Sequence, residues 1–476
     1  MTDPPARGDV ALAWFRRDLR LHDHPALDAA LRAAGRVVPV FVLDPRLLDG
    51  PRSSANRTWF LLGALRALAG DLEARGAPLV VRSGRPEAVI PALAAEAGAA
   101  DVFATRDVSP FARARDRAVA DALARDGRAL HLQRGLLVAE PEEVHAGDGR
   151  PVTIFTPFSR RWAAVPRRTP LPAPDAIPSL PAGTLASEDF PASPAPTADH
   201  ALLPRPGEAA ARQRLARWVA SAALPAYADG RNRLDADGTS RLSADLKIGT
   251  LSPLEVLQAV EGAGEGRRVF VGELCWREFY LHVLWHFPHV VRGAYRPAYD
   301  AVPWADDPAG LAAWQQGRTG YPVVDAAMRQ LAASGWMHNR ARMIAASFLA
   351  KDLLIDWRRG EEHFMRHLVD GDVAANNGGW QWTAGTGTDA APYFRIFNPV
   401  AQGRRFDPEG AYVRRWVPEL ARVPDAYVHE PWAMPTGVQE AAGCVVGHDY
   451  PAPIVDHAAA RGRALGAYGQ SRSSER

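Results

Sequence analysis

From Pro166 to Pro206 the chain reads PRRTPLPAPDAIPSLPAG…PASPAPTADHALLPRPG, and no other stretch restricts the fold as strongly. Proline locks φ and removes a backbone donor, so at this density neither a regular helix nor a central strand can form. The stretch is an extended surface connector, and it divides a chain of 476 residues that is already too long for one ordinary domain. The two sides differ in pattern. Before it, VALAW (Val10 to Trp14), RVVPVFVL (Arg36 to Leu43), PLVVR (Pro78 to Arg82) and DVFAT (Asp101 to Thr105) are short apolar runs separated by segments of 3.6-residue periodicity. Gly35, Gly76, Gly98 and Gly127 each follow a helical pattern where a left-handed C-cap residue is expected. This is βαβ repetition and predicts an α/β domain with a doubly wound parallel sheet. After the connector, strand signals largely disappear and the patterns are helical from about Glu208, so the second domain is expected to be all-α, with a frayed tail after Ala460. The expected division is 1–135 for the α/β domain, 136–207 for the linker, Pro-rich from 166, and 208–476 for the helical domain.

Composition excludes several classes. A hydrophobic fraction of 47% with 23% charged residues is that of a soluble globular protein with ample core. A formal charge of +2 argues against a global polyanion binder, while leaving room for a local basic groove. The two cysteines, Cys275 and Cys444, are far apart and in no metal-type spacing, which fits a reducing cytoplasm rather than a disulfide scaffold. The leading MTDPPARGDV has no apolar signal core and no run of about 18 apolar residues occurs, so neither secretion nor membrane spanning is expected. WFRRDLRLHDHP, not GxGxxG, follows the first strand, which disfavours a dinucleotide bound there by its pyrophosphate.

The segment DGDVAANNGGWQW, Asp370 to Trp382, packs two carboxylates, adjacent amides, an adjacent pair of glycines and two tryptophans together without a lysine or arginine. In VGELCWREFYLHVLWHF, residues Glu273, Trp276, Arg277 and Tyr280 share one helical face, while Val271, Leu274, Leu281 and Leu284 form a core stripe. The polar face could line a cavity or simply meet solvent. GWMHNRARMIAASFLAKDLLIDW, read as a second helix, puts Asn339, Arg342 and Met343 on one face. Met343 could equally join the core with Ile344 and Phe348, and Arg342 could make a structural ion pair. Buried Asp370 and Asp372 would need cationic or hydrogen-bonding partners, and Arg342 is available to them. DGTSRLSADLKIG gathers Thr239, Ser240 and Ser243 around Arg241, suited to capping a helix near Ser243 or to holding a phosphate. His363 and His367 have the spacing of a metal-binding helix pair but lack the HExxH glutamate, so a surface pair is expected and no metal site is assigned. In HDHP, Pro25 should open a helix capped by Asp23 or His24. No nucleophile triad, P-loop or GxSxG is present.

Together WFRRDLRLHD, FTPFSRRW, GTSRLS, ELCWREFY, GYPVVDAAMRQL, the long run from GWMHNRARM to FRIFNP, WVPEL and PIVDH resemble the cryptochrome/photolyase family, specifically its class I cyclobutane pyrimidine dimer photolyases. The resemblance covers nearly the whole chain. It implies an α/β antenna-chromophore domain linked to a helical domain that binds FAD, in its reduced form when active, together with ultraviolet-damaged DNA.

The resemblance implies roles residue by residue. Tyr227, Thr239, Ser240, Arg241, Leu242 and Ser243 match the FAD-phosphate segment, with Phe270 and Arg277 also at FAD-binding positions. Arg342 and Asp370 match an ion pair beside the isoalloxazine, Asp372 a flavin-edge contact, and Asn376 the amide facing flavin N5. Trp380, Trp357 and Trp304 match an electron-transfer chain; buried indoles are otherwise most often core residues. Trp276 and Trp382 match the aromatics flanking an extruded dimer, Glu273 and Asn339 the groups bonding the pyrimidine edges, and Met343 their apolar neighbour. Arg340 and Arg395 match DNA-phosphate contacts.

For the antenna, Asp44, Asp107 and Lys247 resemble members that bind 8-hydroxy-5-deazaflavin. Phe111 and Ala112 stand where binders of 5,10-methenyltetrahydrofolate carry Asn-Glu, and one acidic position of the deazaflavin group is Ser109 here. The implied activity is light-driven dimer splitting by a monomeric cytoplasmic enzyme. Two alternatives are a cryptochrome-like photoreceptor, which usually adds a C-terminal extension and alters the pocket, and a (6-4) photolyase, which is expected to carry histidine at position 339.

Overall fold

The computed structural model describes residues 8–392 and 394–473, so most of the leading segment on which the expectation of no signal core rests lies outside the described residues. Two compact units emerge. One contains residues up to 195, with 204–221 and 240–288; the other contains 196–203, 222–239 and 289 onward.

In the first unit the apolar runs become strands because β-branched residues fill both faces of a sheet covered on each side. The strands are β1 (Gly8–Phe15), β2 (Ala34–Leu43), β3 (Val80–Ser83), β4 (Asp101–Thr105) and β5 (Ala129–Gln133). All pair in parallel, in the order β3-β2-β1-β4-β5, with Leu12 opposite Val38 on one side and Val102 on the other. Chain order reverses between β1 and β4, and ligands of such sheets bind outside the carboxyl ends at that reversal. The intervening helices are α1 (Pro25–Ala33), α2 (Ala55–Glu73), α3 (Pro86–Glu96) and α4 (Pro110–Arg125). His24 caps α1 through Leu27 N–H, and Pro25 is its first residue.

Two expectations need correction here. Gly35 lies inside β2 and does not cap α1, which ends on the extended residue Ala34; Gly76, Gly98 and Gly127 do adopt positive φ. β5 has no counterpart among the expected strands, because ALHLQ is only half-buried at the sheet edge and lacks an apolar run. The opposite edge is covered by the proline-rich connector, which is irregular as expected: Glu188 N–H donates to Val81 O and Val81 N–H to Ser187 Oγ. An edge so covered cannot pair with another chain.

Still in this unit follow α5 (Phe155–Ala164), the short α6 (Ser243–Ile248) and α7 (Glu265–His286). The second unit contains α8 (Asn339–Ser347), α9 (Trp357–His367), α10 (Val373–Ala384) and α11 (His457–Ser473). Its core gathers Trp314, Trp357, Phe348, Phe364, Trp380 and Tyr450. Residues 335–357 do not form one helix. His338 caps α8, a π turn closes it at Phe348–Asp352, and Leu354 adopts positive φ before α9 begins. The tail is not frayed after Ala460, since α11 buries Ala460, Ala464, Ala467 and Tyr468. Among the described residues no helix is long and apolar enough to cross a membrane.

Candidate functional site

In the first unit, α7 presents two faces. Leu274, Leu281 and Leu284 are buried, while Glu273, Trp276, Arg277 and Tyr280 are half-buried along the stripe expected from their spacing; Val271 is half-buried too, outside the core. The Trp276 indole lies parallel to the Phe155 ring, with centroids 3.6 Å apart, and edge-on to Phe279 at 5.5 Å. Arg277 donates to the Leu136 and Leu246 carbonyls, and Phe270 is buried against Trp218. No residue pattern singles out Glu278, a buried carboxylate on the opposite face. It accepts from Val138 N–H, Ala139 N–H at 3.1 Å and Trp162 Nε1 at 2.7 Å, and burial pushes its carboxyl pKa up. Glu278 thereby anchors α7 to the loop after β5 and to α5.

At the start of α6, Arg241 adopts φ 53° and Ser240 Oγ accepts from Leu242 N–H. The helix cap is Leu242, which has no side-chain acceptor, so Ser240 and Ser243 do not serve as its caps. Gly249 ends α6 in a left-handed conformation that lets the backbone meet Arg17, where a Cβ would overlap the Arg17 carbonyl.

At the carboxyl edge of the sheet, Arg17 pairs with Asp107 at 3.5 Å and donates to the Lys247 carbonyl. Burial raises the Asp107 pKa, but Arg17 and the Ser109 amide outweigh it and hold the carboxyl below its usual range. Asp44 caps the turn after β2 and pairs with Arg46 at 2.7 Å, whose guanidinium lies 5.0 Å over Phe111. Arg17 and Arg46 thus partner these two carboxylates, contacts for which the residue pattern holds no signal.

In the second unit, Arg342 pairs with Asp370 at 2.8 Å and donates through Nε to the Met337 carbonyl. Asp370 is buried, and its Oδ1 has no partner among the described residues. Asp372 spends Oδ1 on capping α10 through Ala374 and Ala375 N–H. Asn376 donates Nδ2 to both the main-chain and side-chain oxygens of Glu361, each at 3.0 Å, which directs its Oδ1 elsewhere. Within this unit a buried carboxylate oxygen without a protein donor and an orientated neutral amide fit the polar edge of FAD, and in the first unit the hydroxyls at the start of α6 suit a phosphate. Tyr227 is buried and Thr239 half-buried in this unit, and Ser240, Arg241 and Ser243 follow directly in the other.

Asn339 is exposed at the start of α8 and contacts Met343 Sδ at 3.8 Å; Met343 is half-buried and does not join the core with Ile344 and Phe348. Trp382 is half-buried on α10, turned away from the fully packed Trp380. Trp357 and Trp380 are buried, Trp304 partly so, and none of the three indole N–H groups has an acceptor among the described residues. Gly360, one turn after Trp357, leaves room for the Trp380 ring. His363 and His367 are not on the open surface: both are half-buried, their rings 4.2 Å apart, with His363 against Trp314. Among the described residues no three His, Cys, Asp or Glu side chains converge as metal ligands.

Arg340 donates to Asn232 Oδ1 and lies 4.5 Å over Phe406, with Arg405 5.2 Å from the same ring. Burial, then Arg231 and Arg405, push the Arg340 pKa down to about 10. Guanidinium groups gathered this way form a local positive patch, and Arg231 and Arg405 could be found only from the fold. Arg395 is exposed on the segment before residue 399.

Residues 11–175 match the family model described as DNA photolyase, and residues 270–470 match the FAD binding domain of DNA photolyase. A deoxyribodipyrimidine photo-lyase of Streptomyces griseus is 45% identical over 457 residues, covering 95% of this chain and 98% of that one. A crystal structure of a class III photolyase from Agrobacterium tumefaciens superposes with a TM-score of 0.93 at 40% identity, over 99% of both chains. A Synechocystis cryptochrome superposes with a TM-score of 0.90 at 31% identity, over 98% of this chain and 100% of that one. The chain belongs to the cryptochrome/photolyase family of FAD-binding, DNA-directed photoproteins.

Proposed function

We propose that the chain is a deoxyribodipyrimidine photolyase acting on cyclobutane pyrimidine dimers in DNA. When bound, reduced FAD supplies the electron that, under light, opens the cyclobutane ring and takes it back, so two carbon–carbon bonds break with no net redox change. The protein's own part is to hold, orient and exclude. Thr239, Ser240 and Ser243, with Arg241 and the backbone at Leu242, carry the phosphates; Tyr227, Phe270 and Arg277 support that grip. Arg342 pairs with Asp370 beside the cofactor's polar edge, with Asp372 nearby. Asn376, a neutral amide pinned by Glu361, meets that edge without readily exchanging a proton.

Glu273 and Trp276, together with Asn339, Met343 and Trp382, receive the lesion. Base-flipping enzymes, photolyases among them, extrude a damaged base at a lower unstacking cost than an intact one. Arg340 and Arg395 hold phosphates, so affinity falls with salt. Trp380, Trp357 and Trp304 relay electrons inward, the first two buried and Trp304 partly so. For the antenna, Asp44, Asp107 and Lys247 favour 8-hydroxy-5-deazaflavin, and Phe111 and Ala112 disfavour methenyltetrahydrofolate. The two free, buried cysteines suit a cytoplasmic protein, which we take to be monomeric and of class I.

The observation that carries the dimer reading is the start of α8. Asn339 stands exposed at the lesion position, whereas the neighbouring His338 is buried and turned into the cap, Nδ1 accepting from Arg340 N–H. The histidine is thus committed to the backbone and leaves the amide to read the lesion. Binding of three oligonucleotides, carrying a cyclobutane dimer, a (6-4) photoproduct or no lesion, tests this. The dimer should bind at least tenfold more tightly than the others. Preference for the (6-4) lesion would replace the reading, and no preference would favour the photoreceptor.

A further inference from the structure

Lys351 is buried, 1% exposed, and has no place in the roles above. It lies in the π turn Phe348–Asp352 that closes α8, a form of turn that recurs at functional sites. Its ammonium donates to the main-chain carbonyl of Arg395 at 2.8 Å. A second tether starts beside the same turn, where Ser347 Oγ accepts from Phe397 N–H at 3.4 Å. Together the two bonds grip the segment on either side of Ile396. That segment has no helix or strand of its own, and Phe394, just before it, is 59% exposed.

A buried ammonium is costly to keep, and Arg395, a like charge, adds to the cost; burial first, with Arg395 contributing, lowers the lysine pKa to about 8. The adjacent Asp352 offsets part of this, although its own carboxylate is turned to His457 at 2.5 Å. Packing alone would be met by a methionine of similar length. What the lysine adds is a directed bond to the carbonyl of Arg395, itself an exposed residue. A guanidinium on a fixed backbone loses less freedom when it binds phosphate than one on a loose loop.

We propose that Lys351, seconded by Ser347, is a positioning residue for DNA binding: it fixes the backbone at residues 395–397 so that Arg395 is preorganised against a DNA phosphate. The inference rests on the reading of Arg395 as a phosphate contact.

The test uses full-length, FAD-loaded protein and a dimer-containing duplex, with dissociation constants measured across a NaCl series for Lys351→Met, Ser347→Ala, Arg395→Ala and Lys351→Met/Arg395→Ala. Lys351→Met should weaken binding roughly three- to tenfold and lower the salt slope by about one, as Arg395→Ala does, and the double variant should lose little more. In Lys351→Met and Ser347→Ala the flavin spectrum and the repair rate at saturating DNA should stay unchanged. Wild-type affinity and slope in Lys351→Met alongside a weakened Arg395→Ala would overturn the proposal. If Arg395→Ala itself changes neither quantity, the phosphate reading fails and the tether loses its purpose. Should Lys351→Met not retain flavin, Ser347→Ala decides: faster amide exchange at residues 395–397 with a loss of about twofold is expected, and wild-type values in both would overturn the proposal.

Discussion

Trp276 shows how much of this site depends on a single ring being held. Phe155 covers one face of the indole and Phe279 meets it edge-on, so the ring is fixed before any substrate arrives. Stacking of a base on such a platform contributes about 1–3 kcal/mol. Trp276→Ala should therefore weaken dimer-containing DNA by that amount while the flavin absorbance stays intact, and unchanged affinity in a titration would remove Trp276 from the lesion site. Its stripe was legible because Glu273, Trp276, Arg277 and Tyr280 repeat at helical spacing. Phe155 was not, since nothing local links the start of α5 to the middle of α7. Glu361 was hidden for the same reason: an ordinary helical glutamate becomes the anchor of Asn376 only when α9 packs on α10.

At the scale of elements, α9 and α10 are joined through a glycine. A Cβ on Gly360 would overlap the Trp380 ring and come within 2.6 Å of Leu349 Cδ2. In an exposed helix Gly→Ala stabilises by up to about 1 kcal/mol, but here overpacking of about 1–3 kcal/mol outweighs it. Gly360→Ala should lower the melting temperature and slow photoreduction of oxidised flavin; a raised melting temperature with unaltered photoreduction would show that Trp380 does not depend on this close approach. The parallel sheet was readable because both of its faces are covered and its inner strands are continuous apolar runs. Edge strand β5 escaped because half its surface meets water. The break in residues 335–357 escaped because apolar periodicity runs through Phe348 and Leu349 unchanged, while the π turn is fixed by tertiary bonds to Arg395 and His457. Gly35 misled because a glycine after a helical pattern also suits the start of a tightly paired strand.

For the molecule as a whole, a formal charge of +2 hid a local concentration of arginine around Phe406, because composition averages over a surface that folding sorts. The same averaging made family membership readable only from motifs, whose spacing across nearly the entire chain no composition could encode. The central claim is that light, a reduced flavin and these side chains together restore paired pyrimidines. Its most direct measurement is the thymine absorbance of a dimer-containing oligonucleotide mixed with reduced protein, followed under blue light and in the dark, with the chromophore extracted from the same sample. The absorbance should return under light alone, with FAD recovered unchanged. Bound flavin and bound DNA with no return of thymine under illumination would contradict the account.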